Sequence, residues 1–177
     1  MMNVRKREIP NDILMAQVKS AIDNGQTATI NVKGYSMRPF LDNTRHKVTL
    51  AAPGVLTVGD AIMAEISKGV FVLHRIIAIH GDVITLMGDG NVRGTEVCKR
   101  RDVIGIVTHY IYENKTVPAT DEWLKKEIRI WRKLLFMRRY LLYIYKVLIK
   151  IKFLFICVGT SQRARAESIE KRRKVIN

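Results

Sequence analysis

Residues 70–91, VFVLHRIIAIHGDVITLMGDGN, decide the fold class. Two runs rich in β-branched residues flank the Gly-Asp pair at 81–82, and a two-residue turn with glycine first is typical of a tight β-hairpin. Continuing the pairing away from that turn places His74 opposite Asp89, with their Cβ atoms ~5 Å apart. The segment therefore predicts an antiparallel hairpin that brings an imidazole beside a carboxylate, unless a bulge shifts the pairing.

The rest of the chain extends this pattern. A helix is expected from Asn11 to about Asn24, with Gly25 as its stop. Apolar residues recur at helical spacing after Pro118. Strands are predicted at 26–34, 46–52, 61–66, 70–80, 83–89 and 102–113. The predicted fold is mainly β, a coiled antiparallel sheet or partial barrel, with an N-terminal helix and a C-terminal basic amphipathic helical tail.

The composition changes sharply along the chain. The net charge is +15, and the residues from Asp121 onward hold 16 Lys and Arg against 5 Asp and Glu. Such an excess predicts an anionic partner for the tail. Four segments are expected: a helix at 1–25, a β domain at 26–118, the helical tail at 119–158, and a polar, basic, disordered terminus at 159–177.

The tail has the pattern of a helix that lies in a membrane interface. On one continuous helix, a single basic stripe crosses an apolar cylinder; its members are Arg132, Arg139, Lys146 and Lys150. A peripheral position on the cytoplasmic side of an anionic membrane is expected. The alternatives are a single span through 140–158, and packing against the body or a partner protein. Nucleic acid is disfavoured, because neither a helix-turn-helix nor a stacking-aromatic motif is present.

Cysteine and histidine spacing predicts neither a metal nor any other cofactor. Cys98 and Cys157 lie in segments of different character, and neither has a CxxC or CxxH neighbour. A disulfide framework is therefore not expected, and a reducing compartment fits.

GYSMRPFL, residues 34–41, places Ser36 just after the first predicted strand. Taken alone, the stretch reads as a surface turn. A serine hydroxyl becomes a nucleophile when a positioned base removes its proton, and His74 beside Asp89 has the chemistry of such a base. The alternative for His74 is a core histidine whose hydrogen bonds Asp89 satisfies.

GYSMRPFL resembles the Gly-x-Ser-Met-x-Pro box of the S24/S26 serine peptidases, the signal peptidase and LexA-type group. GDAIM at 59–63, VLHRII at 72–77 and MGDGN at 87–91 follow in that group's order, so the similarity covers about 26–110. The chain looks like a short stand-alone member of the Ser–His subtype found in SipW-like and endoplasmic-reticulum signal peptidases. The resemblance implies a LexA–signal peptidase fold, with 26–118 as the peptidase domain.

The same resemblance assigns roles. Ser36 would be the nucleophile, His74 the base and Asp89 its acidic support. Substrate-binding or oxyanion residues would be Gly34, Met37 and Pro39, and further supporting residues Arg75, Asn91 and Glu96, with Glu96 as the other candidate for the main acidic support.

The implied activity is that of a serine endopeptidase. It would cleave an extended, signal- or leader-peptide-like protein substrate through an acyl-enzyme. One alternative is a LexA-type self-cleaving or regulatory module, with PAT at 118–120 and RARAES at 163–168 as weak cleavage candidates. The other is an inactive adaptor at a membrane surface.

Overall fold

The computed structural model of the chain describes residues 11–151. Cys157, the segment RARAES, the expected disordered terminus 159–177 and the end of the 140–158 span lie outside those residues. The chain divides into two compact units, Met1–Arg138 and Arg139–Asn177.

Helix α1, Asn11–Asp23, ends as the sequence predicts. Gly25 adopts a φ of +75°. Its N–H donates to the Ile22 carbonyl (2.9 Å), and the N–H of Gln26 donates to the Ala21 carbonyl (2.9 Å). These two bonds satisfy the last carbonyls of the helix, and glycine accepts the left-handed conformation without a Cβ penalty. The helix buries Met15, Val18 and Ile22.

Within residues 11–151, eight antiparallel strands form one sheet. They are β1 Ala28–Asn31, β2 Lys47–Ala51, β3 Ala61–Ser67, β4 Val70–His80, β5 Val83–Met87, β6 Glu96–Lys99, β7 Val103–Ile111 and β8 Thr116–Pro118. Their order is β1-β2-β7-β3-β4-β5-β6, and β8 pairs with β7. The prediction of a mainly β, antiparallel fold is confirmed. The short strands β6 and β8, and a 3₁₀ turn at Arg100–Asp102, were not predicted.

The long hairpin β4–β5 carries a bulge. Near the turn its register is the predicted one, but it shifts by one residue between positions 76 and 78, so that Arg75 pairs with Met87. A shift of one residue moves the following side chains to different partners. The prediction that His74 faces Asp89 is therefore wrong.

The first part of the predicted tail belongs to the same compact unit as the sheet. Asp121 caps the N-terminus of helix α2, Glu122–Lys133, by accepting a hydrogen bond from the Leu124 N–H (2.8 Å) with its side chain. Leu124 and Ile128 join the buried cluster that also holds Leu41. Burial of this apolar face attaches α2 to the sheet.

The tail is not one continuous helix. Residues 134–137 form turns, and helical structure resumes over 138–151. The predicted single stripe from Arg132 to Lys150 is therefore interrupted. Arg132 lies on α2, while Arg139, Lys146 and Lys150 lie in the helical segment 138–151. Within residues 11–151, no helix has the length and apolar character needed to cross a membrane.

Candidate active site

Ser36 lies in a hydrogen-bonded loop that directly follows β1. Gly34 has a φ of +84° and donates its N–H to Asn43 Oδ1 (2.9 Å). The Leu41 N–H donates to the Met37 carbonyl (2.9 Å), and the Met37 side chain is buried in the core. Hydrogen bonds within the loop thus fix the backbone on either side of Ser36, which is partly exposed.

A second set of bonds closes the same loop. Arg38 donates through Nε to Asp42 Oδ1 (2.9 Å), which also accepts from the Asn43 N–H (2.8 Å). The Asp42 N–H donates to His46 Nδ1 (3.0 Å), so that nitrogen carries no proton. Burial lowers the pKa of His46, although the Asp42 charge partly opposes the shift. A neutral His46 is therefore part of the loop's structure.

The segment 88–91 lies directly against the serine. The Gly90 N–H donates to the Ser36 carbonyl (2.6 Å). A Cβ on Gly88 would stand 2.5 Å from the Ser36 carbonyl oxygen, and one on Gly90 would stand 2.7 Å from that of Tyr35. Both distances are shorter than a side chain tolerates, so the backbone approach requires glycine at both positions.

Asp89, between these glycines, binds Arg75 rather than His74. Arg75 donates through Nε to Asp89 Oδ1 (2.8 Å) and through Nη2 to Oδ2 (2.5 Å). The Arg75 side chain is 1% exposed and the Asp89 side chain 2%. Burial by itself would lower the pKa of Arg75, but the charge and hydrogen bonds of Asp89, together with Tyr110, raise it above its usual value. Asp89 is thus the counterion of a buried arginine.

Glu96 is the acidic partner of His74. Its Oε2 lies 2.9 Å from His74 Nδ1, and it opens β6, the strand that the sequence did not predict. His74 itself is 5% exposed. A carboxylate at Nδ1 favours the tautomer with the proton on that nitrogen, which leaves Nε2 as an acceptor. Of the two candidate acidic supports, the structure joins Glu96 to the histidine.

Gly88 lies against Ser36 and directly follows β5, the strand paired with the strand that carries His74. Continuing the β4–β5 register one residue beyond Arg75 brings Gly88 opposite His74. A Cβ on Gly88 would stand 3.0 Å from Ser36 Cβ. No hydrogen bond joins Ser36 Oγ to His74 Nε2 within residues 11–151.

Neither Ser36 Oγ nor His74 Nε2 is completely enclosed by protein. In the described part of the chain, one fully buried side-chain nitrogen or oxygen lacks a hydrogen-bond partner, and it is Arg138 Nε. Ser36 Oγ and His74 Nε2 also lack partners there, so neither is fully buried. Each atom therefore keeps some contact with solvent, although His74 as a whole residue is 5% exposed.

The loop limits which groups could stabilise an oxyanion. The Gly34 N–H is already bound to Asn43, and Pro39 has no N–H. The Met37 side chain packs in the core. In the described residues, the backbone N–H groups of Ser36 and Met37 donate to no protein acceptor. Of the residues predicted for an oxyanion role, Gly34 and Pro39 therefore have no free N–H to offer, whereas Met37 has one, as does Ser36.

Two residues of the C-terminal segment hold the 88–91 segment and were not predicted. Trp131 Nε1 donates to the Asp89 carbonyl (2.8 Å), and Arg138 Nη1 donates to the Asn91 carbonyl (3.0 Å). Trp131 also packs edge-on against Phe40, with ring centroids 6.3 Å apart. Helical periodicity placed Trp131 on the packing face of its helix, but no local signal names its partner.

An apolar groove runs beside β1. This strand stands at the end of the sheet order, and in residues 11–151 it pairs with β2 alone. The groove has a volume of about 240 Å³; it is lined by 29–33 together with Leu14, Met15, Met63, Phe71 and Leu73. An open strand edge beside an apolar groove can pair with an extended peptide.

Metal chemistry has no candidate site among residues 11–151, where no three His, Cys, Asp or Glu side chains are grouped to hold an ion. Cys98 is a buried free thiol. Burial, with the nearby charge of Asp102, raises its pKa to about 11. A thiol with so high a pKa is a poor nucleophile at neutral pH.

Comparison with protein-family models, curated proteins and solved structures gave no match for this chain. The interpretation of Ser36, His74 and Glu96 depends on their chemistry, their geometry and the resemblance of their motifs to those of S24/S26 peptidases.

Proposed function

We propose that the protein is a serine endopeptidase of the S24/S26 type, with Ser36 as nucleophile and His74 as general base. The observation that supports this most is the 2.9 Å contact of His74 Nδ1 with Glu96, combined with an Nε2 to which no described residue is hydrogen-bonded. A histidine held at one nitrogen by a carboxylate and open at the other is the base of a nucleophile–base–acid set. The LexA–signal peptidase fold is part of the same proposal.

The reaction is acyl transfer. Ser36 Oγ attacks the carbonyl carbon of the peptide while His74 Nε2 takes the hydroxyl proton. Glu96 stabilises the imidazolium that forms, and the backbone N–H groups of Ser36 and Met37 donate to the oxyanion. The C–N bond then breaks as His74 returns the proton to the leaving amine. Water, deprotonated by the same nitrogen, releases the acyl group and restores the serine.

Asp89 has a supporting role in this scheme. It forms the counterion of Arg75 and lies between two glycines that contact the Ser36 loop. Because it does not contact His74, it fixes the backbone beside the nucleophile rather than the tautomer of the base. Arg75 supports Asp89 by binding its carboxylate. Asn91 supports it as part of the backbone of the 88–91 segment.

The substrate would be an extended peptide of signal- or leader-peptide type. It would pair with the open edge of β1, and one of its side chains would enter the apolar groove. The self-cleavage alternative gains nothing from 118–120, because Pro118 lies in β8 and the Ala119 N–H donates to the Thr108 carbonyl (2.7 Å).

A peripheral position on the cytoplasmic face of an anionic membrane is part of the proposal. The helical segment 138–151 exposes aromatic and basic side chains together. Tyr140 is 68% and Tyr143 70% exposed, and Lys146 and Lys150 are also exposed. Tyrosine at headgroup depth and lysine near anionic lipid favour this position, with each basic group contributing ~1 kcal/mol.

A serine-directed phosphonylating probe tests the assignment. With the full chain, we expect one adduct on Ser36, mapped by mass spectrometry, and none in Ser36→Ala. His74→Ala should react slowly. Glu96→Gln should react about tenfold more slowly than the wild type or worse, because the His74 imidazolium then lacks its carboxylate partner. Ser67→Ala, which removes an exposed serine at the end of β3, is the matched control and should label as the wild type does.

The proposal fails if folded protein gives no Ser36 adduct with or without anionic vesicles. It also fails if the rate of labelling at Ser36 is unchanged in His74→Ala, since the serine would then not be activated by this histidine.

A further inference from the structure

A cavity of about 240 Å³ lies between the turn 57–60 and helix α2. Its remaining wall comes from β3, β4, β7 and the segment after β8. Its charged and hydroxyl-bearing lining residues are Thr57, Asp60, Arg75, Tyr110, Lys125, Arg129 and Arg132. The proposed peptidase chemistry uses none of the three cations that α2 contributes.

These three cations, Lys125, Arg129 and Arg132, share one face of α2. They follow one another at spacings of four and three residues, which places them side by side on a helix. Within residues 11–151, none of their side chains forms a hydrogen bond or an ion pair. Like charges at this spacing repel one another, so the face is poorly balanced without an anion.

The one acidic group that lines the cavity, Asp60, is already hydrogen-bonded within its own turn. Asp60 Oδ2 accepts from both the N–H (2.8 Å) and the hydroxyl (3.0 Å) of Thr57. Arg75, at the buried side of the cavity, is neutralised by Asp89. The cavity therefore presents three unpaired cations against one carboxylate that is held in its own turn.

We propose that this cavity binds a phosphate group, as found on a phospholipid headgroup or on a small soluble phosphate. Arginine guanidinium groups match phosphate oxygens with paired N–H donors, and lysine adds a point charge. The Arg132 Nη1 atom already reaches to within 3.4 Å of where a Cβ on Gly59 would stand, so it spans the cavity mouth from α2 to the turn.

Binding of two probes to the full chain tests the proposal. The first is inorganic phosphate, followed by calorimetry; the second is phosphatidylcholine vesicles with and without phosphatidic acid, followed by cosedimentation. The test variant is Arg129→Gln/Arg132→Gln. The matched control, Arg100→Gln/Arg101→Gln, removes the same charge from the 3₁₀ turn, which does not line the cavity. We expect the test variant to bind about tenfold more weakly or worse, and the control within about twofold of wild type.

The probe that responds identifies the source of the phosphate. Loss of inorganic phosphate binding in the test variant alone supports a site for a soluble phosphate. Loss of binding to phosphatidic acid vesicles alone, again only in that variant, supports a headgroup site. The proposal is overturned if wild-type protein binds neither probe, or if test and control variants lose binding equally. Lys125→Gln, a milder change, replaces the test variant should that variant fail to fold. The readout is binding, so its outcome does not depend on Ser36 chemistry.

Discussion

At the scale of single residues, the assignment of the two carboxylates carries most of the functional meaning. Asp89 and Glu96 were both candidates for the support of His74. The first neutralises buried Arg75, whereas the second contacts the imidazole. The two side chains thus separate into one that stabilises the fold beside Ser36 and one that would orient His74 as the proposed base.

We predict that Asp89→Asn lowers the free energy of unfolding by ~3–5 kcal/mol, because removing one partner leaves the buried Arg75 charge uncompensated. Urea denaturation measures the change. Asp82→Asn, in the exposed hairpin turn, is the control and should change stability by about 0.5 kcal/mol or less. A stable Asp89→Asn variant that has lost reaction of Ser36 with the probe would show instead that Asp89 acts chemically.

At the scale of elements, the site depends on the close approach of two backbone segments. The loop after β1 carries Ser36, and the segment 88–91 lies against it with glycines at the contact points. The bulge in β4 shifts the pairing of β4 with β5 by one residue just before this segment, so that Arg75 lies opposite Met87. Trp131 and Arg138 donate hydrogen bonds to two carbonyls of the same segment.

Gly88→Ala should separate these two segments. The new methyl group would stand 2.5 Å from the Ser36 carbonyl oxygen, a backbone atom that cannot rotate away. We expect the free energy of unfolding to fall by about 1–3 kcal/mol and labelling of Ser36 to slow. Gly54→Ala is the control, since its Cβ would meet nothing within 4 Å. Equal labelling rates in the two variants would contradict the described approach.

At the scale of the compact unit Met1–Arg138, sheet, α2 and site share one core. Met37 from the serine loop and Ile128 from α2 belong to the same buried cluster. Conditions that loosen this unit should therefore affect the site and the fold together. The neutral His46, which accepts a hydrogen bond within the serine loop, links the stability of the unit to pH.

We predict that the free energy of unfolding falls as the pH is lowered through 6.5, the ordinary pKa of histidine. Burial lowers the pKa of His46 in the folded state, so below 6.5 the unfolded chain binds more protons than the folded one. The nearby Asp42 and Glu113 charges reduce this effect, and Arg45 increases it. Denaturant titrations at several pH values measure it.

His46→Asn is the comparison variant for this pH dependence. It lacks the titrating imidazole, so its stability should fall less over the same pH range. An unchanged slope in His46→Asn would assign the effect to other groups.

The sequence by itself determined the local elements of this protein and the chemistry of its candidate site. Strand alternation, helical spacing and Gly25 act over a few residues, so α1, α2 and six of the strands could be predicted. Ser36 and His74 could be singled out because their motifs are local too.

The partner of His74 was decided by tertiary structure, since one bulge in β4 moved Asp89 to Arg75 and an unpredicted strand brought in Glu96. Tertiary structure also decided the hydrogen bonds that Trp131 and Arg138 donate to the backbone of 88–91. Such contacts join residues far apart in sequence, and their geometry depends on how the whole sheet twists and pairs rather than on any local pattern.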